Sequence, residues 1–220
     1  MSDTTHHHPA LQHHFGNLDE QKEASTLGMW LFLAQEVLFF GGLFLAYTVY
    51  RNLYYAGFAE ASHHLNYVLG GANTAVLIFS SLTMALAVRA AQTGQPARTQ
   101  VMWLVGTMFL GTVFLGVKVI EYADKFAHHI VPGPYFDKSA WTHPAGVEQF
   151  YSLYFIMTGL HALHMIIGIP ILAVIAWMAH RGKFSPAFHT PVEMVGLYWH
   201  FVDIVWIFLF PLLYLVERHQ

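Results

Sequence analysis

The sequence has no cysteine and very little charge. With no cysteine among its 220 residues, disulfides, thiolate metal sites, iron–sulfur clusters and cysteine nucleophiles are excluded. Charged residues make up 10% of the chain, whereas an ordinary soluble domain has about 25%. Ten Lys and Arg against thirteen Asp and Glu leave no basic excess that would attract nucleic acid. A water-soluble globule of ordinary composition and a nucleic-acid-binding protein are therefore both excluded.

Apolar residues fill the space that charge leaves, at 55% of the chain. Each of five charge-poor stretches is long enough to cross a hydrocarbon core of about 30 Å as a helix. We place these predicted spans at about 27–50, 67–88, 101–122, 151–178 and 193–215. Residues 1–26 are polar and rich in His, and we predict that they form a solvated tail. They contain no apolar stretch of the kind a secretory signal needs, so no cleaved signal is predicted. The sequence thus predicts an all-α membrane protein in which residues 27–220 form one bundle of five transmembrane helices.

The distribution of Lys and Arg between the loops predicts the orientation of the bundle. Loops 89–100 and 179–192 contain basic residues and no acidic ones, whereas the loops on the other side mix both signs. This asymmetry places the N-terminus inside and the C-terminus outside. The longest outer loop, 123–147, contains several Pro and Gly residues, which predict an irregular cap rather than a helix.

A few polar side chains interrupt the predicted spans, and each needs a partner or a purpose because an ionisable group in hydrocarbon costs at least about 2.5 kcal/mol. Glu36 and Asp203 lie at similar depth in helices that enter from the same side. For Glu36, a hydrogen-bonded packing role and a proton-relay role both stay open. Lys118 and Glu121, three residues apart, predict an interfacial ion pair. The polar residues we predict to be buried or paired are Gln35, Glu36, Asn73, Lys118, Glu121, His161, His164, His200 and Asp203.

Histidines within the spans invite a metal or haem interpretation, because neutral imidazole is a ligand for both. The spacing of His161 and His164 on one helix is weak evidence for ligation, and Asp203 is the expected hydrogen-bond partner of His200. We therefore favour hydrogen-bonded packing over ligation. The sequence also contains no Gly-rich phosphate loop, zincin motif or nucleophile elbow, so we predict no catalytic residue and no metal site in this chain.

Four strings within the spans closely resemble subunit III of haem–copper oxidases in its five-helix form. They are LGMWLFLAQEVLFFGGLF at 27–44, ANTAVLIFSSLTMALA at 72–87, GLHALHMIIG at 159–168 and YWHFVDIVWIFLF at 198–210. By position, Glu36 matches the family's buried glutamate, and Glu121 with Tyr122 matches a recurring acidic–aromatic pair. The family's polar helix-packing residues are matched by His161, His164, His200 and Asp203. Gln35 stands where the family usually has a small hydroxyl residue.

The resemblance implies a non-redox accessory subunit that packs against subunit I and supports its stability and proton uptake during oxygen reduction. Subunit II, further subunits and membrane lipids are implied as neighbours, with a bound phospholipid as a candidate ligand. Haem and copper are expected in partner subunits and not in this chain. The five-helix form and the lack of a transit peptide predict a bacterial plasma membrane.

The electron donor of the complex is not encoded in this chain, and we favour cytochrome c. Accessory subunits of a quinol oxidase or of a nitric oxide reductase are alternatives within the same fold. An independent membrane cytochrome that uses its histidines as haem ligands is an alternative of another class.

Overall fold

A computed structural model describes residues 11–134 and 136–216. It consists of helices joined by short connections, and within the described residues the only β contact is an isolated bridge between Ser185 and Phe188. The helices are α1 (Leu18–Leu53), α2 (Tyr55–His63), α3 (Tyr67–Gln92), α4 (Ala97–Ala127), α5 (Pro144–His180) and α6 (Thr190–Tyr214), with a 3₁₀ turn at Lys138–Ala140. Five of them, all but α2, are long and apolar enough to cross a membrane. The prediction of five membrane-spanning helices is confirmed.

Local hydrogen bonds explain where α1 begins. The Asn17 side chain accepts a hydrogen bond from the Glu20 backbone N–H at 2.8 Å, and the Glu20 carboxylate accepts one from the Gly16 N–H at 2.9 Å. The arrangement resembles a capping box shifted by one residue, because Glu20 bonds the N–H before the N-cap Asn17, and it satisfies donors at the start of the helix. The polar tail predicted over residues 1–26 therefore ends earlier than expected, because α1 begins at Leu18. Residues 1–10 lie outside the described part of the chain.

Four of the spanning helices form a ring, and the fifth leans on it. Helix α3 packs on α4 and α6, and α5 closes the ring by packing on α4 and α6. Helix α1 lies against α5 and α6. The interior of the ring is aromatic, and Trp199 and Trp206 on α6 are both 0% exposed. The polar residues on α5 and α6 are therefore placed either inside the ring or beneath α1.

A short helix and a loop close one end of the bundle, and we call α2 together with residues 128–134 and 136–143 the cap. The nine residues of α2 were not predicted. A Cβ atom added to Gly57 on α2 would lie 2.6 Å from the Cα atom of Gly146 on α5, so the two backbones touch. Phe58 on α2 also packs edge-on against Tyr47 and Phe150. Glycine at both crossing points lets α2 lie flat on the start of α5.

Candidate functional site

A carboxyl group and an imidazole meet where α1 leans on α5. Glu36 on α1 is 8% exposed, and its Oε2 atom lies 3.3 Å from Nε2 of His164. The other nitrogen of the imidazole, Nδ1 of His164, lies 2.8 Å from the carbonyl oxygen of Leu160, one turn earlier on α5. Helix packing thus fixes both ends of this imidazole.

The bonding of His164 decides where protons can sit in this pair. Because a backbone carbonyl only accepts, Nδ1 of His164 must carry a hydrogen, so in the neutral ring Nε2 has a bare lone pair. A lone pair facing an ionised carboxylate would be repulsive. A favourable contact needs one more proton, either on the Glu36 carboxyl or on Nε2. The geometry therefore suits a pair that holds one exchangeable proton.

The pair lies in the wall of an apolar cavity between α1, α5 and α6. The cavity has a volume of about 480 Å³. Its polar lining consists of Glu36, His164 and Tyr198, whose hydroxyl donates to the His164 carbonyl oxygen at 2.8 Å. The apolar lining residues are Met29, Phe32, Ile167, Ile171 and Val195. The pair thus borders a largely apolar cavity that is open at the surface of the described chain, where Ile167 and Ile171 are 47% and 38% exposed.

A second polar cluster lies inside the ring, near the cap. The ammonium group of Lys118 donates to Oε2 of Glu121 at 2.7 Å and to the hydroxyl of Tyr214 at 2.8 Å. The Tyr214 hydroxyl in turn donates to Oε1 of Glu121. The Lys118 nitrogen also lies 4.5 Å from the centre of the Trp206 ring, where a cation–π attraction acts. The predicted ion pair is present, and it is buried within the described chain, with Lys118 3% and Glu121 8% exposed.

His161 and His164 have different surroundings although they are three residues apart. His161 is 1% exposed, and its ring packs against those of Phe114 and Trp206 with centroids 5.4 and 5.1 Å away. Neither of its nitrogens has a hydrogen-bond partner among the described residues. No group of three or more His, Asp or Glu side chains within residues 11–134 and 136–216 is arranged to hold a metal ion.

The predicted hydrogen bond between His200 and Asp203 is wrong. Nδ1 of His200 lies 2.7 Å from the hydroxyl of Ser81 on α3, because α6 turns this face toward α3. Asp203 is 2% exposed, and its carboxyl group neighbours the same Ser81 hydroxyl rather than pairing with His200. Asn73 is buried as predicted, and its side-chain amide donates to the Phe114 carbonyl oxygen at 3.3 Å.

The predicted burial of Gln35 is also wrong for this chain by itself. Gln35 is exposed whereas its neighbour Glu36 is buried. Successive residues of an α-helix point about 100° apart, so only one of two adjacent positions can face α5. The amide of Gln35 points away from the bundle.

Glu60, which the sequence did not single out, fixes the cap. Its carboxylate accepts hydrogen bonds from the backbone N–H groups of Thr142 at 2.9 Å and His143 at 3.0 Å. Partial burial raises the pKa of Glu60, but these hydrogen bonds outweigh that effect and hold the pKa below its ordinary value. Glu60 joins residues separated by 82 positions, so no local pattern could have indicated it.

The five long apolar helices and the polar groups buried between them are those of a multi-pass helical membrane protein. Comparison with known proteins identifies its family. The family model for cytochrome c oxidase subunit III matches residues 13–217. The chain belongs to this family and is an accessory subunit of a haem–copper oxidase.

Relatives extend over nearly the whole chain. Cytochrome c oxidase subunit 3 of Thermostichus vulcanus is 32% identical over 200 residues, which cover 90% of each chain. The Corynebacterium diphtheriae protein of the same name is 34% identical over 194 residues, covering 87% of this chain and 88% of the relative. Quinol oxidase subunit 3 of Bacillus subtilis is 31% identical over 198 residues, covering 90% and 89%.

Proposed function

We propose that this chain is the non-redox subunit III of a cytochrome c oxidase, that it packs directly against subunit I, and that Glu36 and His164 exchange a proton during turnover. The observation that carries the proton role is the contact between Glu36 Oε2 and His164 Nε2, which needs one shared proton to be favourable. Because the cavity beside the pair is lined mostly by apolar side chains and lies within the predicted span, lipid or a neighbouring subunit rather than bulk water adjoins the pair.

The remaining buried polar groups have a packing role in this proposal. Asn73, Glu121, His161, His200 and Asp203 lie on the helices of the ring, where they fix how α3 to α6 fit together. Haem and copper belong to the partner subunits, with subunit II and further subunits completing a proton-pumping complex. Membrane phospholipid covers the apolar surface that no subunit covers.

The proposal places the N-terminus inside, the C-terminus outside and the complex in a bacterial plasma membrane. The purely basic loops 89–100 and 179–192 support this orientation. Because the chain has no cysteine, single cysteines introduced at Arg98 and at Lys138 test it directly. A membrane-impermeant maleimide applied to intact cells should label position 138 and not position 98, and the reverse pattern would contradict the orientation.

Purification of the complex tests the assembly. The chain should copurify with haem- and copper-bearing subunits, and the separated chain should show no haem absorption band. Within the same complex, Glu36→Gln should lower proton uptake or shorten the period of sustained turnover while leaving the haem spectrum unchanged. Full proton uptake and durability in Glu36→Gln would leave the residue with a packing role alone.

A quinol oxidase is the second candidate, because relatives at 31% identity carry that name. A copper-bearing domain on a neighbouring subunit would indicate cytochrome c as the electron donor, and its absence from the purified complex would indicate quinol. The nitric oxide reductase alternative is tested by the gas that the complex reduces.

The independent cytochrome is the least supported alternative. It would need His161, His164 and His200 as haem ligands. In the structure His161 packs against the ring of Phe114, His164 faces Glu36, and His200 contacts the Ser81 hydroxyl.

A further inference from the structure

One face of α1 is not covered by any other part of the described chain. Helix α1 packs onto α5 and α6 through residues such as Glu36, Phe40 and Tyr47, which are 8%, 2% and 0% exposed. The roughly opposite face is apolar and open. In most spans such a face simply contacts lipid, so its composition must be examined before a partner is inferred.

The open face carries a seven-residue repeat. Leu31, Leu38 and Leu45 are spaced seven apart and are 65%, 77% and 66% exposed. Three residues before each leucine stand Gly28, Gln35 and Gly42, also exposed. Positions that alternate three and four residues apart form the a and d seam of a helix that packs along another helix in a left-handed crossing. Lipid tails require no such period.

The glycines of the repeat serve no contact inside this chain. A Cβ atom added to Gly28 or Gly42 would meet nothing within 4 Å, so their small size is not needed for the packing of α1 on the bundle. In membranes, small residues on a helix surface let a neighbouring backbone approach closely. Gly42 lies between two leucines of the repeat and Gly28 precedes the first, so both fit a second helix lying along the same line.

Gln35 indicates what the second helix must carry. Its amide lies near the middle of the span and is exposed, and no hydrogen bond joins it to another described group. Lipid tails offer neither donor nor acceptor, and an unsatisfied amide in hydrocarbon is costly. Side-chain amides and hydroxyls bond one another between transmembrane helices. One polar residue at an a position also fixes the register of such a pair.

We propose that six exposed residues of α1 form a docking seam for a single transmembrane helix of another oxidase subunit. They are Gly28, Leu31, Gln35, Leu38, Gly42 and Leu45. That helix carries an amide or hydroxyl side chain opposite Gln35, and hydrogen-bond complementarity at this level sets its register. The inference rests on the proposed assembly with other subunits, and it adds which face of this chain one of them occupies.

Site-specific photo-crosslinking in the purified complex tests the seam. A photoreactive phenylalanine analogue is placed at Leu31, Leu38 or Leu45, and, as matched controls one position earlier, at Trp30 or Val37, which are 60% and 58% exposed. The seam variants should crosslink to one transmembrane segment of another subunit, identified by mass spectrometry of the joined peptides. The control variants should give several-fold less of the same product.

Equal yields at seam and control positions, products with lipid alone, or products with a second copy of this chain would each overturn the proposal. Failure of the unmodified chain to copurify with haem-bearing subunits would instead overturn the proposed function. If the chain copurifies with haem-bearing subunits but its crosslinks do not follow the seven-residue spacing, only the proposed seam is overturned.

Substitutions at Gln35 supply a second test that does not depend on the probe. Gln35→Leu should reduce retention of the partner helix's subunit several-fold in a detergent wash, whereas Gln35→Asn should retain much of it. Val37→Leu, on the neighbouring exposed face, is the control and should behave as the unmodified chain. If Gln35→Leu retains that subunit as well as the unmodified chain does, the amide makes no hydrogen bond to the partner helix and the proposed seam is overturned.

Discussion

Glu121 and Glu36 are equally buried, at 8% exposure each, yet their surroundings differ. Both oxygens of Glu121 accept hydrogen bonds, from Lys118 and Tyr214. Glu36 faces only the imidazole of His164, at 3.3 Å, and borders a cavity. A carboxylate whose oxygens are all satisfied has little to gain by accepting a proton, whereas one that faces a lone pair needs a proton. Bonding, and not burial, therefore distinguishes the packing carboxylate from the candidate proton-exchanging one.

The largest expected effect comes from breaking the satisfied cluster. Lys118→Met leaves Glu121 buried without its counter-charge, and the loss of one partner from a buried ion pair costs about 3 to 5 kcal/mol. The variant subunit should dissociate from the purified complex at a clearly lower concentration of denaturing detergent. The double variant Lys118→Met with Glu121→Leu removes both charges and should recover most of the loss. Wild-type resistance in Lys118→Met would show that the cluster does not hold the ring together.

Tyr214→Phe should have a smaller effect on the same cluster. It removes one hydroxyl that both accepts from Lys118 and donates to Glu121, while the charge pair itself stays. A buried group left without its hydrogen bond costs about 1 to 3 kcal/mol. The same detergent titration measures the loss, and Tyr50→Phe, at a position that is 38% exposed, serves as the control. A loss larger than that of Lys118→Met would contradict the ranking.

Changes at the Glu36 pair should leave stability nearly intact and act on turnover. Glu36→Gln and His164→Gln should each lower the stability of the folded subunit by less than about 1 kcal/mol, since the net contribution of one hydrogen bond is about that size. The detergent concentration at which the subunit dissociates should therefore change little. Each should reduce proton uptake. Because the two groups share one proton, the double variant should be no worse than the stronger single variant. Additive losses in the double variant would show that the two residues act separately.

The smallest effect concerns Glu60, a carboxylate that water reaches. Its pKa lies below the ordinary value, so its contribution to holding the cap is present above the pKa of the free carboxyl, about 4.3. That contribution is lost as the pH falls through the lowered pKa. The protection of the Thr142 and His143 amides against hydrogen exchange, taken relative to the intrinsic rate at each pH, should therefore fall on acidification in the unmodified chain. Glu60→Gln should give low protection with little pH dependence, and a pH profile of protection unchanged in that variant would exclude Glu60 as the titrating group.

The sequence predicted the spans well because bilayer thickness demands about 20 apolar residues for each crossing. It missed α2, since the nine residues of Tyr55–His63 are too short to show a clear period. It also placed the end of the tail too late, because charged residues after Asn17 are as compatible with a helix as with a solvated tail.

Within the site, local pairs were predictable and distant ones were not. Lys118 and Glu121 lie one turn apart, so their pairing followed from spacing. Tyr214, which completes their cluster, lies 93 residues from Glu121, and no pattern along the chain connects them. The error at His200 has the same origin, because its partner Ser81 is 119 positions away while Asp203 was the nearest polar neighbour in sequence.

The contact between Gly57 and Gly146 has a consequence for how this chain can change over time. Each backbone occupies the space where the other residue's side chain would be, so a larger residue at either position would push α2 off α5 and pull Glu60 away from the loop it holds. A side chain at Gly57 requires the α5 backbone to move, and one at Gly146 requires the α2 backbone to give way. A lineage that altered one of these glycines would therefore need compensating changes elsewhere in the cap, so the two should persist or disappear together.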